Sequence, residues 1–375
     1  MLLLIPGPTN LSKRVRAAMA GPQLPHVGAQ FYSTFKETIA LARYVFKNEK
    51  GAQFVFTGSG TIGMESSVVS LVSPGERTLT LLNGYFGHRM LMLNQIHRAK
   101  ADSIDFPGGR GADPDALRKK LRNPRYSVVF ITHVDTSSSV MNSLPDLVDE
   151  CSKAGVLSVV DSVCAIGGVP LNFDRLGADI VFTASQKALG GAPGAVLIAA
   201  SQHAIEHMEK RKAPIESYYM SLLRWKPIMD DPKMYLATPA TQVLLALREA
   251  MLEVKEEGIE NRWARHKQLG ELTRSRVETW GQRLVAEEGC RADTVTSFWV
   301  KGEKAGDLQR TLEKEYHVMV SRGIYDDRDR MIRIGHFGIL QLDVLRKALD
   351  SMGNVMEELG IVPGRVTVAK QPKKP

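Results

Sequence analysis

Lys187 lies in Thr183–Leu189, TASQKAL, directly after the apolar run GADIVF and just before Gly190 and Gly191. A lysine at the end of a core strand, away from a solvated helix face, is in a position to give up its charge and form an imine. Asp161 closes the preceding apolar run, VLSVVDSV, about one strand–crossover–strand unit earlier. An acid at one strand end and a lysine at the next form the pair that pyridoxal 5'-phosphate requires. The amine carries the aldehyde, and the carboxylate keeps the ring nitrogen protonated so that the ring draws electrons. Taken singly, a surface lysine and a helix N-cap aspartate are the plain readings of these two residues. The other chemistry-bearing segments decide between them.

Gly58-Ser59-Gly60-Thr61-Ile62-Gly63 follows a strand and precedes a helix. The pattern GxGxxG in that place is a dinucleotide signature, but a dinucleotide site wants an acid at the end of the next strand, where TLTLLNGY supplies Asn83. Backbone N–H groups at a helix N-terminus, with the hydroxyls of Ser59 and Thr61, hold a single phosphate equally well and need no acid. A glycine turn that only tightens strand–helix packing remains the structural alternative. In NGYFGHR, Phe86 follows a strand end, where its ring could stack on a flat heterocycle or simply join the core. The run THVDTSSS, residues 132–139, clusters hydroxyls at the same edge, Thr136 foremost. In MIRIGH, Arg333 interrupts an apolar strand, and a buried guanidinium needs a carboxylate, either internal or belonging to a substrate.

The elements that must position these groups are legible from periodicity. QFVFTG, TLTLLNG, SVVFITH, VLSVVDS, DIVFTAS and GAVLIAAS are short apolar runs, most of them separated by helical patterns such as MESSVVSLV, DPDALRKKLR and SLPDLVDECSKAG. This alternation predicts an α/β fold with a mostly parallel central sheet covered by helices on both faces. A long helical pattern spans about Pro239 to Arg276, and after it VTSFWVKG, LQRTLEKEY, HVMVSRG, MIRIGH and a closing helix read as a smaller α+β domain. The expected organisation is an N-terminal arm over residues 1–20, a large cofactor domain over 21–260 and a small C-terminal domain over 261–375 with a basic tail.

Composition narrows the function classes. The chain has 375 residues, 43% of them hydrophobic, enough for about two domains and a large core. Its net charge of +8 comes from Lys and Arg interleaved with Asp and Glu, as in EVKEEGIENRWARHK, and not from an aromatic-studded basic stripe, so nucleic acid is not an expected partner. No apolar run approaches the roughly 20 residues of a membrane span, and MLLLIPGP breaks at two prolines. Cys151, Cys164 and Cys290 are odd in number and widely spaced, which argues against disulfides and a structural metal and for a reducing, cytoplasmic setting. The tail VTVAKQPKKP reads as a frayed terminus.

Across nearly its whole length the chain resembles the class V, fold type I, pyridoxal-phosphate-dependent aminotransferases. Within them it is similar to the alanine:glyoxylate (serine:pyruvate) family, especially its fungal form. The resemblance rests on LLIPGPTNLS, TGSGT, NGYFGHR, THVDTS, VDSVCAIGG, TASQKA, SLLRWKPIM, YLATPATQ and MIRIGHFG. It implies Lys187 as the imine lysine, Asp161 on the pyridine nitrogen and Thr136 beside the ring. It further implies phosphate binding by Ser59, Gly60, Thr61 and Gln186, with Tyr235 and Thr238 reaching in from the second subunit of a homodimer, and Arg333 on the substrate carboxylate. Many relatives stack a tryptophan where this chain has Phe86, and many have serine at Thr136. The implied activity moves an amino group from a small amino acid, alanine or serine, to the 2-oxo acid glyoxylate. Other readings fit less well. A cysteine desulfurase needs a thiol on a mobile loop after the lysine, where only Cys290 is available, and a 2-aminoethylphosphonate transaminase usually has asparagine in place of Gln186. A nicotinamide oxidoreductase using GSGTIG, and a non-catalytic protein of the same fold, complete the alternatives.

Overall fold

The computed structural model of the chain describes residues 1–123 and 125–362, so the basic tail lies outside the described residues. In chain order the strands are Leu2–Leu3 (β1), Ala52–Thr57 (β2), Arg77–Leu82 (β3), Lys100–Asp105 (β4), Val128–Thr132 (β5), Leu157–Asp161 (β6), Ile180–Ala184 (β7), Ala195–Ala200 (β8), Val295–Trp299 (β9), Val318–Met319 (β10), Ser321–Arg322 (β11) and Met331–Gly335 (β12). A seven-stranded sheet runs β2-β8-β7-β6-β5-β3-β4, with β8 antiparallel to both of its neighbours and every other pairing parallel.

The central strands β5, β6, β7 and β8 are buried at every position because both faces of the sheet are covered. Side chains alternate across a strand, so Val129 and Ile131 join one hydrophobic cluster with the helices Ala29–Phe46 and Thr241–Glu257, while Val128 and Phe130 join the other with the helix Gly60–Leu71. Each fully buried side chain of this size contributes about 1.5–3 kcal/mol, which fixes the register and with it the level at which every strand ends. The carboxyl ends of β2, β3, β5, β6 and β7 therefore lie along one edge, where ligands bind in open α/β sheets.

Three features depart from the sequence reading. The strand β4, KADSID, lies on the sheet edge and is mostly half-buried, so it carries no apolar run to betray it. The long helical pattern is two helices, Thr241–Glu257 and Ile259–Thr279, parted at Gly258, whose φ of 82° a side chain would resist. The segment HVMVSRG, read as one strand, splits: β10 pairs parallel with β1, and β11 pairs antiparallel with β12. A third core gathers Leu4, Phe298, Ile332 and Ile334 under the helices Ile259–Thr279, Ala305–Tyr316 and Leu342–Glu358. The first residues of the chain thus pack with the small C-terminal sheet.

Candidate active site

A cavity of about 190 Å³ opens at the carboxyl edge of the large sheet, and its walls include Ser59, Gly60, Thr61, Phe86, Thr136, Asp161, Gln186 and Lys187. These residues come from the carboxyl ends of five strands, β2, β3, β5, β6 and β7, or from the segments that follow them. Lys187 sits in the turn between the antiparallel β7 and β8. That turn is closed by Gly191 N–H to Ser185 O at 2.9 Å, Gly190 N–H to Lys187 O at 2.9 Å and Ser185 Oγ to Ala192 O at 2.5 Å. The lysine is thus held on a hydrogen-bonded hairpin loop, not at the start of a crossover. Burial lowers its pKa, with Arg333 adding to the effect and Cys164 and Asp161 opposing it.

Asp161 ends β6, is buried, and accepts the Val163 N–H on Oδ1 at 3.0 Å, leaving Oδ2 with no protein partner among the described residues. Burial pushes its carboxyl up to about 7 against the pull of that N–H and of Lys187 and Arg89. An acid sealed in this way without a counter-charge is under-satisfied, and a protonated ring nitrogen would satisfy it.

The helix Gly60–Leu71 begins at the cavity. Its N-cap, Ser59, makes no side-chain capping bond, so hydroxyl and first-turn N–H groups are available to an anion. Gln186 Oε1 is buried without a partner, a cost of about 1–3 kcal/mol that a bound polar group would remove. Val163 and Phe86 supply apolar wall, and a Cβ on Gly60 would meet Val163 Cγ2 at 3.2 Å. An anion cup, an unsatisfied acid, an amine of lowered pKa and an apolar lining together fit pyridoxal phosphate.

Several participants escape sequence reading. Asp135, buried in the loop after β5, accepts the Phe86 N–H at 3.0 Å and the Ser137 N–H at 2.8 Å, while Ser137 Oγ accepts the Tyr85 N–H at 2.9 Å. This loop therefore caps the helix Tyr85–Ile96 from outside and aims Phe86. A Cβ on Gly84 would stand 2.5 Å from both Asp135 Oδ1 and Ser137 Oγ, so only glycine admits the approach. Arg89 lies over the rings of Tyr85 and Phe86 at 4.8 and 4.9 Å and donates to Thr61 Oγ1 at 3.2 Å. The N-terminal segment forms a roof: Pro6 O accepts from Lys187 Nζ, and a Cβ on Gly7 would come within 2.6 Å of Lys187 Cδ. The sequence marks IPGP as a break in a hydrophobic leader and as part of a family motif; its proximity to Lys187 is a contact between residues far apart in the chain.

Arg333, in β12, donates to Arg322 O at 2.8 Å and to Thr136 O at 3.2 Å, and no carboxylate pairs with it among the described residues. Tyr235 and Thr238 are not brought to this cavity by their own chain. Their hydroxyls bond each other at 3.0 Å on an exposed surface, where Tyr235 is 64% accessible. Among the described residues no cluster of His, Cys, Asp and Glu could hold a metal, and no helix is long and apolar enough to cross a membrane.

Sheet order and cavity together define a fold type I enzyme that uses pyridoxal 5'-phosphate. The chain matches the family Aminotransferase class-V over residues 10–325. It is 31% identical over 374 residues to an uncharacterised aminotransferase of Methanocaldococcus jannaschii, covering 99% of this chain and 97% of that protein. It is 30% identical over 357 residues to alanine–glyoxylate aminotransferase 1 of Saccharomyces cerevisiae, covering 90% and 92%. The crystal structure of an alanine–glyoxylate aminotransferase from Nostoc sp. superposes with a TM-score of 0.91 at 29% identity, covering 95% of each chain. The chain belongs to the class-V aminotransferases, in the alanine–glyoxylate aminotransferase family.

Proposed function

We propose that this enzyme transfers the amino group of L-alanine, or of serine, to glyoxylate, yielding pyruvate or hydroxypyruvate and glycine, as a homodimer whose sites are shared between subunits. The observation that carries the substrate assignment is Arg333. Its guanidinium is largely desolvated, which lowers its pKa against the pull of Asp135, and its hydrogen bonds go only to carbonyl oxygens, with no carboxylate paired directly to it among the described residues. A substrate carboxylate would supply the missing counter-charge. Alanine and glyoxylate each carry one carboxylate on a small body, so one clamp serves both in turn. The yeast and Nostoc relatives, named for this reaction, support the same choice.

Bound pyridoxal phosphate supplies an aldehyde that exchanges amines and a ring that draws electrons from the substrate Cα. Lys187 Nζ would hold that aldehyde and would serve as the base for the Cα proton, a task suited to an amine that burial keeps closer to neutrality. Asp161 Oδ2 would hold the proton on the ring nitrogen, and the Thr136 hydroxyl would serve the same ring. Phe86 would offer it a ring to stack on, while Ser59, Gly60, Thr61 and Gln186 would take the phosphate. Tyr235 and Thr238 add hydroxyls from the partner subunit. The apolar side chains around them, Val27 and Met234 at 60% and 55% accessible, are a surface of the kind a second copy would cover.

The test is to incubate the holoenzyme with L-alanine and glyoxylate and measure pyruvate and glycine. Wild type should form both. Lys187→Ala should show no multiple turnover while remaining folded, and Arg333→Gln should lose at least about 30-fold in kcat/KM for donor and acceptor alike. Absence of pyruvate, or turnover by Lys187→Ala within about tenfold of wild type, would overturn the assignment.

A further inference from the structure

Beside the cofactor cavity lies a second and larger one, about 710 Å³, whose walls include Tyr85, Arg89, Met92, Phe106, Trp299 and Tyr325. Arg89 lines both cavities, so the two adjoin at this residue. A small amino acid and a two-carbon oxo acid make no use of such a space. Its size and its aromatic walls are those of a site for an apolar or aromatic group.

Tyr325 is the most telling wall. Its backbone sits at φ 51°, a left-handed conformation that costs a non-glycine residue about 1–3 kcal/mol. The residue is 73% accessible, yet its ring stands 5.6 Å from that of Tyr85, tilted by 55°. Strain has thus been accepted in the loop between β11 and β12, and an aromatic ring left wet, at the mouth of the cleft. The ring of Tyr85 is in turn faced by Arg89, whose Nη2 donates to its hydroxyl at 3.2 Å. The charges of the cleft do not make an anion trap: Arg89 and Arg283 are offset by Asp105, Asp326 and Asp327, the last ion-paired to Arg330 at 3.1 Å. A second carboxylate on the donor would find no net attraction there, whereas a neutral flat ring would find ring faces and edges.

We propose that this cleft receives the side chain of an aromatic amino donor, so that the enzyme transaminates phenylalanine-class amino acids as well as small ones. The inference rests on the transaminase reading above and extends its donor class. The reaction balances as the parent one does: L-phenylalanine and glyoxylate give phenylpyruvate and glycine, the amino group and hydrogen leaving one carbon skeleton for the other.

The experiment compares L-phenylalanine with L-alanine as donor to glyoxylate in the wild-type holoenzyme, in Tyr325→Gly, which relieves the backbone, and in Tyr325→Phe, which keeps the ring. Phenylalanine should reach at least about a tenth of the alanine kcat/KM. Tyr325→Gly should lower the phenylalanine value about tenfold through KM and move alanine less than about threefold, and Tyr325→Phe should restore phenylalanine. As a readout independent of turnover, 3-phenylpropionate should bind wild type about tenfold more tightly than Tyr325→Gly, while propionate should not distinguish them. Turnover of alanine without phenylalanine, equal losses for both donors, or equal 3-phenylpropionate binding by both proteins would each overturn the proposal. Turnover of phenylalanine without alanine would instead overturn the small-donor assignment and leave the cleft standing.

Discussion

At the scale of the residue, Asp161 shows how a group required by chemistry works against the fold that holds it. Burial sets its carboxyl at about 7, whereas a free aspartate titrates near about 3.9. Between those two values the folded cofactor-free chain keeps a proton that the unfolded chain has lost, so stability falls as pH rises through the window and the penalty is complete above about pH 7. At about 1.4 kcal/mol per pH unit the penalty reaches a few kcal/mol. The cofactor-free Asp161→Asn protein should therefore gain on wild type steadily from about pH 4 to about pH 7.5 in urea or thermal melts. His133 is buried with a pKa near 4, giving the opposite slope, but it is present in both proteins and cancels in the comparison. The loaded variant should lose about 10²-fold or more in kcat, because the ring nitrogen is no longer held protonated. A constant stability gap with unchanged kcat would show that the carboxylate only bonds Val163.

At the scale of the element, the start of the helix Tyr85–Ile96 is set by a loop that follows a different strand. Asp135→Ala removes the acceptor of the Phe86 N–H and of the Ser137 N–H together. It should cost about 1–2 kcal/mol of stability by melting and weaken cofactor binding about tenfold by fluorescence titration. Unchanged affinity would mean that Phe86 needs no such support. This dependence also explains what the sequence could and could not disclose. Lys187, Asp161, Thr61 and Thr136 were legible because apolar runs mark strand ends, and the residues just beyond such ends share one edge. The helix boundary at Gly258 and the split of HVMVSRG were not legible. The first turns on one backbone angle and the second on the two partners that β10 and β11 find in β1 and β12. Asp135, Arg89 and Gly7 were missed because each acts through a residue on another loop. No periodicity reports such a contact.

At the scale of the whole molecule, the exposed pair Tyr235 and Thr238 makes a prediction about assembly. If they complete the partner's phosphate cup, a subunit carrying Lys187→Ala mixed with one carrying Tyr235→Ala and Thr238→Ala should regain activity through heterodimers with one intact site. Cofactor affinity should also rise with dimerisation. An active monomer in sedimentation that binds pyridoxal phosphate as tightly as the dimer would refute the sharing. The placement of the chain's first residues has a further consequence, one of timing. Leu2 N–H bonds His317 O, and Gly335 N–H bonds Leu4 O. The roof over Lys187 is therefore anchored to residues more than 300 positions later in the chain. During synthesis residues 2–4 have nothing to pair with until residues 317–335 have emerged. Contacts of such separation form late because the loop they close is so long. A chain whose large sheet forms before residues 317–335 are in place would leave Lys187 without its roof, its amine open to the cofactor from that side.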